Sequence, residues 1–283
     1  MAVILDGKTL SIKFRERLKK ETETLKKKTG KIPGIAVILA GNDPASNVYV
    51  SSKEKAVLEA GFYSVVERVP ETVTTKDILK LVEKFNNDEK IHGILVQLPL
   101  PKNVDEEVVL RSIKPEKDVD GFHPYNVGLL NIGDDCLMPC TPLGIMNMLA
   151  DYKIDCTGKN VVVIGRSNIV GKPIAAMLLK ANATVTICHS KTKDMDKICS
   201  NADILVAAIG KPKFITKKYI KKDAVVIDVG INRVEGKLCG DVDFENVKDI
   251  CSFITPVPGG VGPMTITTLI ENTLKAFKIS QGL

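Results

Sequence analysis

The stretch Tyr49-Val50-Ser51-Ser52-Lys53 has the residue types and spacing for chemistry. The segment around it, Ala45 to Ala60, reads as a helix with Val48, Ala56 and Val57 as packing positions. On a helix, side chains four residues apart lie one above the other. Tyr49 therefore sets a flat ring beside the amine of Lys53. That pair suits a flat, partly aromatic substrate with an amine held over its reactive carbon. A helical Lys is ordinarily a solvated surface charge, and this chain has 40 Lys and Arg. The pair gains meaning only from what joins it. Gln97 closes the apolar run Ile91 to Leu98. It either faces the same end of a sheet as Lys53 or simply satisfies backbone groups. Asp120 lies in Lys117-Asp118-Val119-Asp120-Gly121-Phe122-His123, inside a long aperiodic stretch of the kind that often carries function. An Asp before Gly is also a common turn former.

A second constellation lies further along. The apolar run Val161 to Ile164 is followed by Gly165-Arg166-Ser167-Asn168-Ile169-Val170-Gly171-Lys172-Pro173 and then a helix to Lys180. Strand, glycine turn and helix N-terminus form the architecture that holds a dinucleotide pyrophosphate on free backbone N–H groups. The spacing departs from G-x-G-x-x-G, because Ser167 stands at the second glycine. A tight turn without ligand is the alternative. The next strand, Thr184 to Cys188, runs into His189-Ser190-Lys191-Thr192. NAD-preferring folds place an acid there for the ribose hydroxyls. A hydroxyl and a cation here, with Arg166 nearby, favour a 2′-phosphate and hence NADP. Pro256-Val257-Pro258-Gly259-Gly260-Val261-Gly262-Pro263-Met264-Thr265 reads as a rigid, side-chain-poor loop that lets a ligand approach the backbone.

The elements that must position these residues follow from periodicity. Leu10 to Lys28 reads as an amphipathic helix with Leu10, Phe14, Leu18 and Leu25 on its apolar stripe. Gly34 to Ala40 reads as a strand buried on both faces. Phe62 to Val69 and Ile91 to Leu98 read as further strands, Thr75 to Asn86 and Val104 to Ile113 as helices. Lys114 to Cys140 shows no periodicity. Thr141 then caps a helix that runs to Leu149 with Pro142 at its first position. Strands Ile204 to Ile209 and Val225 to Val229 continue the second block, the latter followed by Gly230-Ile231-Asn232. Strands alternating with helices imply an α/β fold, with parallel sheets whose ligands sit beyond the carboxyl ends of the strands.

At 283 residues, 44% of them hydrophobic, the chain suits two domains of roughly 100–150 residues. A net charge of +6 with both signs interspersed points to anionic small molecules and away from nucleic acid, where a basic stripe would stand. Seven cysteines without a C-x-x-C pair, and three scattered histidines, argue for reduced thiols in a cytosol and against a disulfide framework or a metal site. No apolar window of membrane-spanning length occurs and MAVILDGKTL carries no basic n-region, so neither membrane spanning nor secretion is expected.

In order, YVSSK, VQLPLP, KDVDGFH, GRSNIVGKP, DVGIN, GDVDF and PVPGGVGPMT make the chain resemble the bifunctional methylenetetrahydrofolate dehydrogenase/methenyltetrahydrofolate cyclohydrolase family over nearly its whole length. The resemblance implies an N-terminal α/β domain of residues 1–140, joined by a returning helix of residues 264–283, and a Rossmann-like NADP domain of residues 141–263, with a cleft between them. It implies a homodimer, tetrahydrofolate derivatives as substrates, and Lys53, Gln97 and Asp120 as catalytic residues, Tyr49 stacking on the aryl ring. The implied substrate set further includes Val50, Ser51, Ser52, Val96, Leu98, Pro258, Gly259, Gly260, Val261 and Gly262. The implied NADP set is Thr141, Gly165, Arg166, Ser167, Ser190 and Ile231. A same-fold enzyme with only the dehydrogenase, or a non-catalytic nucleotide-binding module, are the alternatives.

Overall fold

The computed structural model describes residues 2–283. A two-residue strand β1 (Val3–Ile4) leads into helix α1 (Gly7–Thr29). Leu10, Leu18 and Leu25 are buried along it and Phe14 is half-buried. Then β2 (Gly34–Ala40), α2 (Pro44–Glu59), β3 (Tyr63–Val69), α3 (Thr75–Asn87), β4 (Gly93–Val96) and α4 (Glu106–Ser112) alternate. The three strands after β1 form a parallel sheet in the order β3-β2-β4. β2 is buried at every position, and its period of two divides it between two cores. Ile35, Val37 and Leu39 join Leu18 and Leu25 of α1 and Ala56 and Val57 of α2. Ala36, Ile38 and Ala40 join Ile78, Val82 and Phe85 of α3.

Val48, expected to pack, is 69% exposed; the buried face of α2 runs instead through Val50, Lys53, Ala56 and Val57. The stretch 114–140 is not irregular throughout. It holds a 3-10 turn, Pro115–Lys117, and helix α5 (Pro124–Ile132). Nine residues that include Gly128 and two Asn have too little helix propensity to show a stripe. Pro124 at the first position and Gly133 after the end, at φ 84°, are start and stop signals nonetheless. Helix α6 (Cys140–Asp151) starts one residue early, so Thr141 lies inside it and is not its N-cap. The Thr141 hydroxyl is hydrogen-bonded instead to the Thr265 hydroxyl at 3.0 Å.

The rest of the chain gives β5 (Asn160–Ile164), α7 (Gly171–Lys180), β6 (Thr184–Cys188), α8 (Met195–Cys199), β7 (Ile204–Ala207), β8 (Val225–Asp228), hairpin β9 (Asn232–Val234) and β10 (Lys237–Cys239), α9 (Phe244–Val247), β11 (Phe253–Ile254) and α10 (Val261–Ser280). A second, six-stranded parallel sheet has the order β1-β11-β8-β7-β5-β6. Its core includes Val162, Leu205, Val226 and Ile254. Helix α10 begins at Val261, so half of the glycine- and proline-rich string is helical and only its first part is loop. Pro263 is tolerated because N–H groups of a first turn have no helical partner anyway.

Two compact units result: the chain up to Ile12 with Thr141–Thr265, and Lys13–Cys140 with Ile266–Leu283. The pairing of β1 with β11 puts the first residues with the six-stranded sheet and Thr141–Thr265, not with the domain of residues 1–140 that the resemblance implies. Among the described residues no helix is long and apolar enough to cross a membrane.

Candidate active site

Within the unit built on the three-stranded sheet, four of the expected residues converge. Asp43 caps α2 by accepting from Ser46 N at 2.7 Å, with Pro44 next. This start fixes the rotation of the helix, so Tyr49 and Lys53 share one face. The Lys53 side chain runs inward and is 5% exposed. Its Nζ lies 4.7 Å from the Tyr49 ring centroid and donates to Gln97 Oε1 at 3.0 Å. Gln97 directly follows β4, and its Nε2 donates to the Leu98 carbonyl at 2.6 Å. That second bond sets the amide with its oxygen toward the amine, so Gln97 meets both Lys53 and a backbone carbonyl.

Asp120 arrives from the loop after α4. An isolated parallel bridge between Ile94 and Asp118 ties that loop to β4. Asp118 is buried and accepts from Phe122 N, His123 N and Asn126 Nδ2 at 3.2, 2.8 and 2.9 Å. Gly121 sits at φ +70°, and a Cβ there would lie 2.5 Å from Pro139 N, so only glycine permits this turn. From α10, Asn272 Nδ2 donates to the Val119 and Met138 carbonyls at 2.8 and 2.7 Å. Cys140, absent from the expected site, is buried and donates to Val119 O at 3.2 Å.

These groups titrate away from their ordinary values. Burial holds the Lys53 amine below the usual lysine range, the opposing charge of Asp120 offsetting only part of it. Burial pushes the Asp120 carboxyl up, against the charge of Lys53. The Cys140 thiol stands well above the usual thiol range, again through burial, with Asp120 adding to it. Each charged form is disfavoured by loss of water. An amine that gives up its proton easily, beside a carboxylate and a ring, can serve as a general base toward a bound cation.

Other expected residues serve differently. Val50 is fully buried in the core and Val96 is 2% exposed in the opposite one, so their side chains are committed to packing. Ser51 and Ser52 are exposed, and their hydroxyls bond back to Asn47 O and Val48 O. Leu98 contributes its carbonyl to Gln97. Pro258 to Gly262 belong to the other unit, where Gly259 O accepts from Lys8 N at 2.9 Å and Val261 is buried.

In the unit built on the six-stranded sheet, β5 has β6 on one side and β7 on the other, a strand-order reversal of the kind where ligands bind. Gly165 ends β5 at φ +123°, and a Cβ there would lie 2.2 Å from Ala208 O. Ser167 folds the turn onto the start of α7, its Oγ accepting from Val170 N and Gly171 N. A pocket of about 280 Å³ at these strand ends is lined by Gly165, Arg166, His189 and Ser190 and by Lys211 and Phe214. Its lining holds two cations and no carboxylate, which fits a phosphate-bearing nucleotide. Ile231 is 60% exposed just before β9, and Thr141 stands in the first turn of α6; neither lines this pocket. Lys211 and His189 are not among the residues that the sequence singles out, although Lys211 follows Gly210 at the carboxyl end of β7, where parallel sheets gather ligand-binding residues.

The chain is similar to known proteins over nearly its whole length. The family model described as tetrahydrofolate dehydrogenase/cyclohydrolase, catalytic domain, matches residues 5–120, and the NAD(P)-binding domain of the same name matches residues 139–281. The bifunctional protein FolD of Streptococcus pneumoniae serotype 4 is 59% identical over 277 residues, 98% of this chain and 97% of that protein. A crystal structure of the bifunctional enzyme FolD, methylenetetrahydrofolate dehydrogenase/cyclohydrolase, from Campylobacter jejuni is 51% identical, with a TM-score of 0.97 and 99% of each chain covered. The Trypanosoma brucei methylenetetrahydrofolate dehydrogenase-cyclohydrolase, complexed with NADP and inhibitor, is 39% identical with a TM-score of 0.96 over 100% of this chain and 99% of that one.

Proposed function

The chain belongs to the tetrahydrofolate dehydrogenase/cyclohydrolase family, and on that premise we propose that Lys53 is its general base, Gln97 the group that orients it, and Asp120 the acceptor that holds the substrate. The protein is a bifunctional one-carbon enzyme. It oxidises 5,10-methylenetetrahydrofolate to 5,10-methenyltetrahydrofolate with NADP and hydrolyses that product to 10-formyltetrahydrofolate.

Bound NADP supplies the hydride acceptor for the first reaction. Arg166, Ser190 and the Gly165 turn would hold it, and their pocket of cations and close-approach glycine suits it. The cation that develops on the one-carbon bridge is shared by two nitrogens of the folate, so this step asks the protein mainly for orientation. Asp120 accepts the N–H edge of the pterin, which keeps a buried carboxylate ionised, and Tyr49 lies against the aryl ring.

The second reaction adds water to the amidinium carbon and opens the ring. A lysine at its ordinary pKa of about 10.4 is a poor base at neutral pH. Burial already lowers that of Lys53, and the substrate cation disfavours the ammonium further. Neutral Lys53 then takes a proton from the attacking water while Gln97 Oε1 holds the amine in place. The observation that carries the reading is a buried Nζ 3.0 Å from Gln97 Oε1 and 4.7 Å from the Tyr49 ring.

We propose further a homodimer in the cytosol, supported by the family and, for the compartment, by seven cysteines that are all free thiols. A sedimentation mass of one chain would overturn the dimer. The test of the activities is methylenetetrahydrofolate plus NADP with methenyl absorbance followed in time. A rise then a decay is expected. A rise that persists would leave a dehydrogenase alone, and no rise a binding module.

A further inference from the structure

The cofactor pocket draws on the carboxyl ends of three neighbouring strands. β5 and β6 deliver Gly165, Arg166, His189 and Ser190; β7 delivers the loop Ala208 to Lys211. Lys211 is exposed and follows Gly210 at φ +63°, a backbone that by itself has many alternatives. It is not left free. Asp241, 0% exposed, accepts from Ile209 N and Gly210 N on Oδ2 at 2.7 and 3.0 Å, and from Lys211 N on Oδ1 at 2.8 Å. Three successive N–H groups converging on one anion is the arrangement by which proteins bind phosphate; here the anion is the chain's own.

The clamp is itself anchored. Asn232 Nδ2 donates to Asp241 Oδ1 at 3.0 Å. Buried Asp228 accepts from Asp241 N and Val242 N, both at 2.9 Å. Lys213 N and Ile215 N continue the stitching onto Gly240 O and Asp241 O. Beyond the clamp the Lys211 ammonium lies 5.4 Å from the centroid of the Phe214 ring, which also lines the pocket. That contact keeps the cation at the pocket rim, on the pocket that also holds Arg166.

We infer that Asp241 is the positioning residue of the cofactor pocket and that Lys211, on the loop it holds, selects for the phosphate on the adenosine ribose of NADP together with Arg166. The inference deepens the cofactor reading above and rests on it. A cation facing a phosphate adds affinity only for the nucleotide that carries the phosphate.

The test is calorimetric titration of the whole protein with NADP and with NAD, in the absence of folate. Lys211→Gln, a surface change, is expected to weaken NADP binding about tenfold and to leave NAD within about twofold. Asp241→Asn puts an amide N–H against backbone donors and is expected to lose NADP selectivity with Lys211 intact. The double variant should lose less than the two single changes together, because both act through one contact. Equal weakening of both nucleotides by Lys211→Gln, or none, overturns the inference even if Asp241→Asn does not fold. Wild-type protein that binds NADP no tighter than NAD overturns the cofactor reading itself and the inference with it.

Discussion

Lys53, Gln97 and Asp120 differ in environment. The amine is buried and lowered, the carboxyl is buried and raised, and the amide between sheet and helix cannot turn because Leu98 O holds it. Cyclohydrolase turnover should therefore rise with pH and level off below the ordinary lysine value of about 10.4, a profile that pH-resolved hydrolysis of methenyltetrahydrofolate would trace. Gln97→Ala should cut hydrolysis roughly tenfold or more while Lys53 remains present, whereas an unchanged rate would remove the orienting role. Asp120→Asn offers an N–H where the substrate offers one too, so its folate KM should rise steeply in both reactions. The pair Tyr49 and Lys53 was legible in the sequence because four residues on a helix is a fixed geometry. Cys140 was not, because its place beside Asp120 depends on a loop closure that no local spacing encodes.

At the scale of elements, the sheet ends do the positioning. β2 could be read residue for residue from GIAVILA, since seven apolar positions have few other uses. β4 is shorter than IHGILVQL suggests, yet Gln97 N still donates to Ile38 O at 2.9 Å, and that bond holds the residue whose side chain meets Lys53. The path of 118–140 was hidden because its hold is long-range: Asn272 on α10 reaches back to Val119 and Met138. Asn272→Ala leaves those carbonyls without their buried donor and should cost roughly 1–3 kcal/mol, read as a lowered Tm with looser substrate binding. His92 gives a pH test of the same sheet. Its Nδ1 accepts from Gly34 N at 3.0 Å, its ring meets Phe277 edge-on, and burial depresses its pKa to about 4 from 6.5. A group depressed on folding contributes stability above its unfolded value. That stability is lost as pH falls from 6.5 toward 4, up to about 3 kcal/mol. Urea titrations at pH 7 and pH 4.5 should differ in this sense, and His92→Gln should flatten the dependence.

For the whole molecule, the chain order alone did not reveal how its ends are shared between two sheets. β1 joins the six-stranded sheet and α10 packs Leu269, Ile270, Leu274 and Phe277 into the core of the three-stranded one. The return of α10 was expected through the family resemblance alone, since a helix of ordinary length does not encode it, and the place of β1 was not expected, since two residues carry no pattern. NADP at about a hundred times its Kd should stabilise the protein by about 2.7 kcal/mol, and a Tm indifferent to NADP would contradict the pocket. One amine, that of Lys53, is central to the proposed hydrolysis. The direct measurement is Lys53→Met with methenyltetrahydrofolate hydrolysis and NADP-dependent oxidation assayed side by side. Hydrolysis should fall by about 10²–10⁴ while oxidation persists, and a variant that still hydrolyses at the wild-type rate would contradict the role given to Lys53.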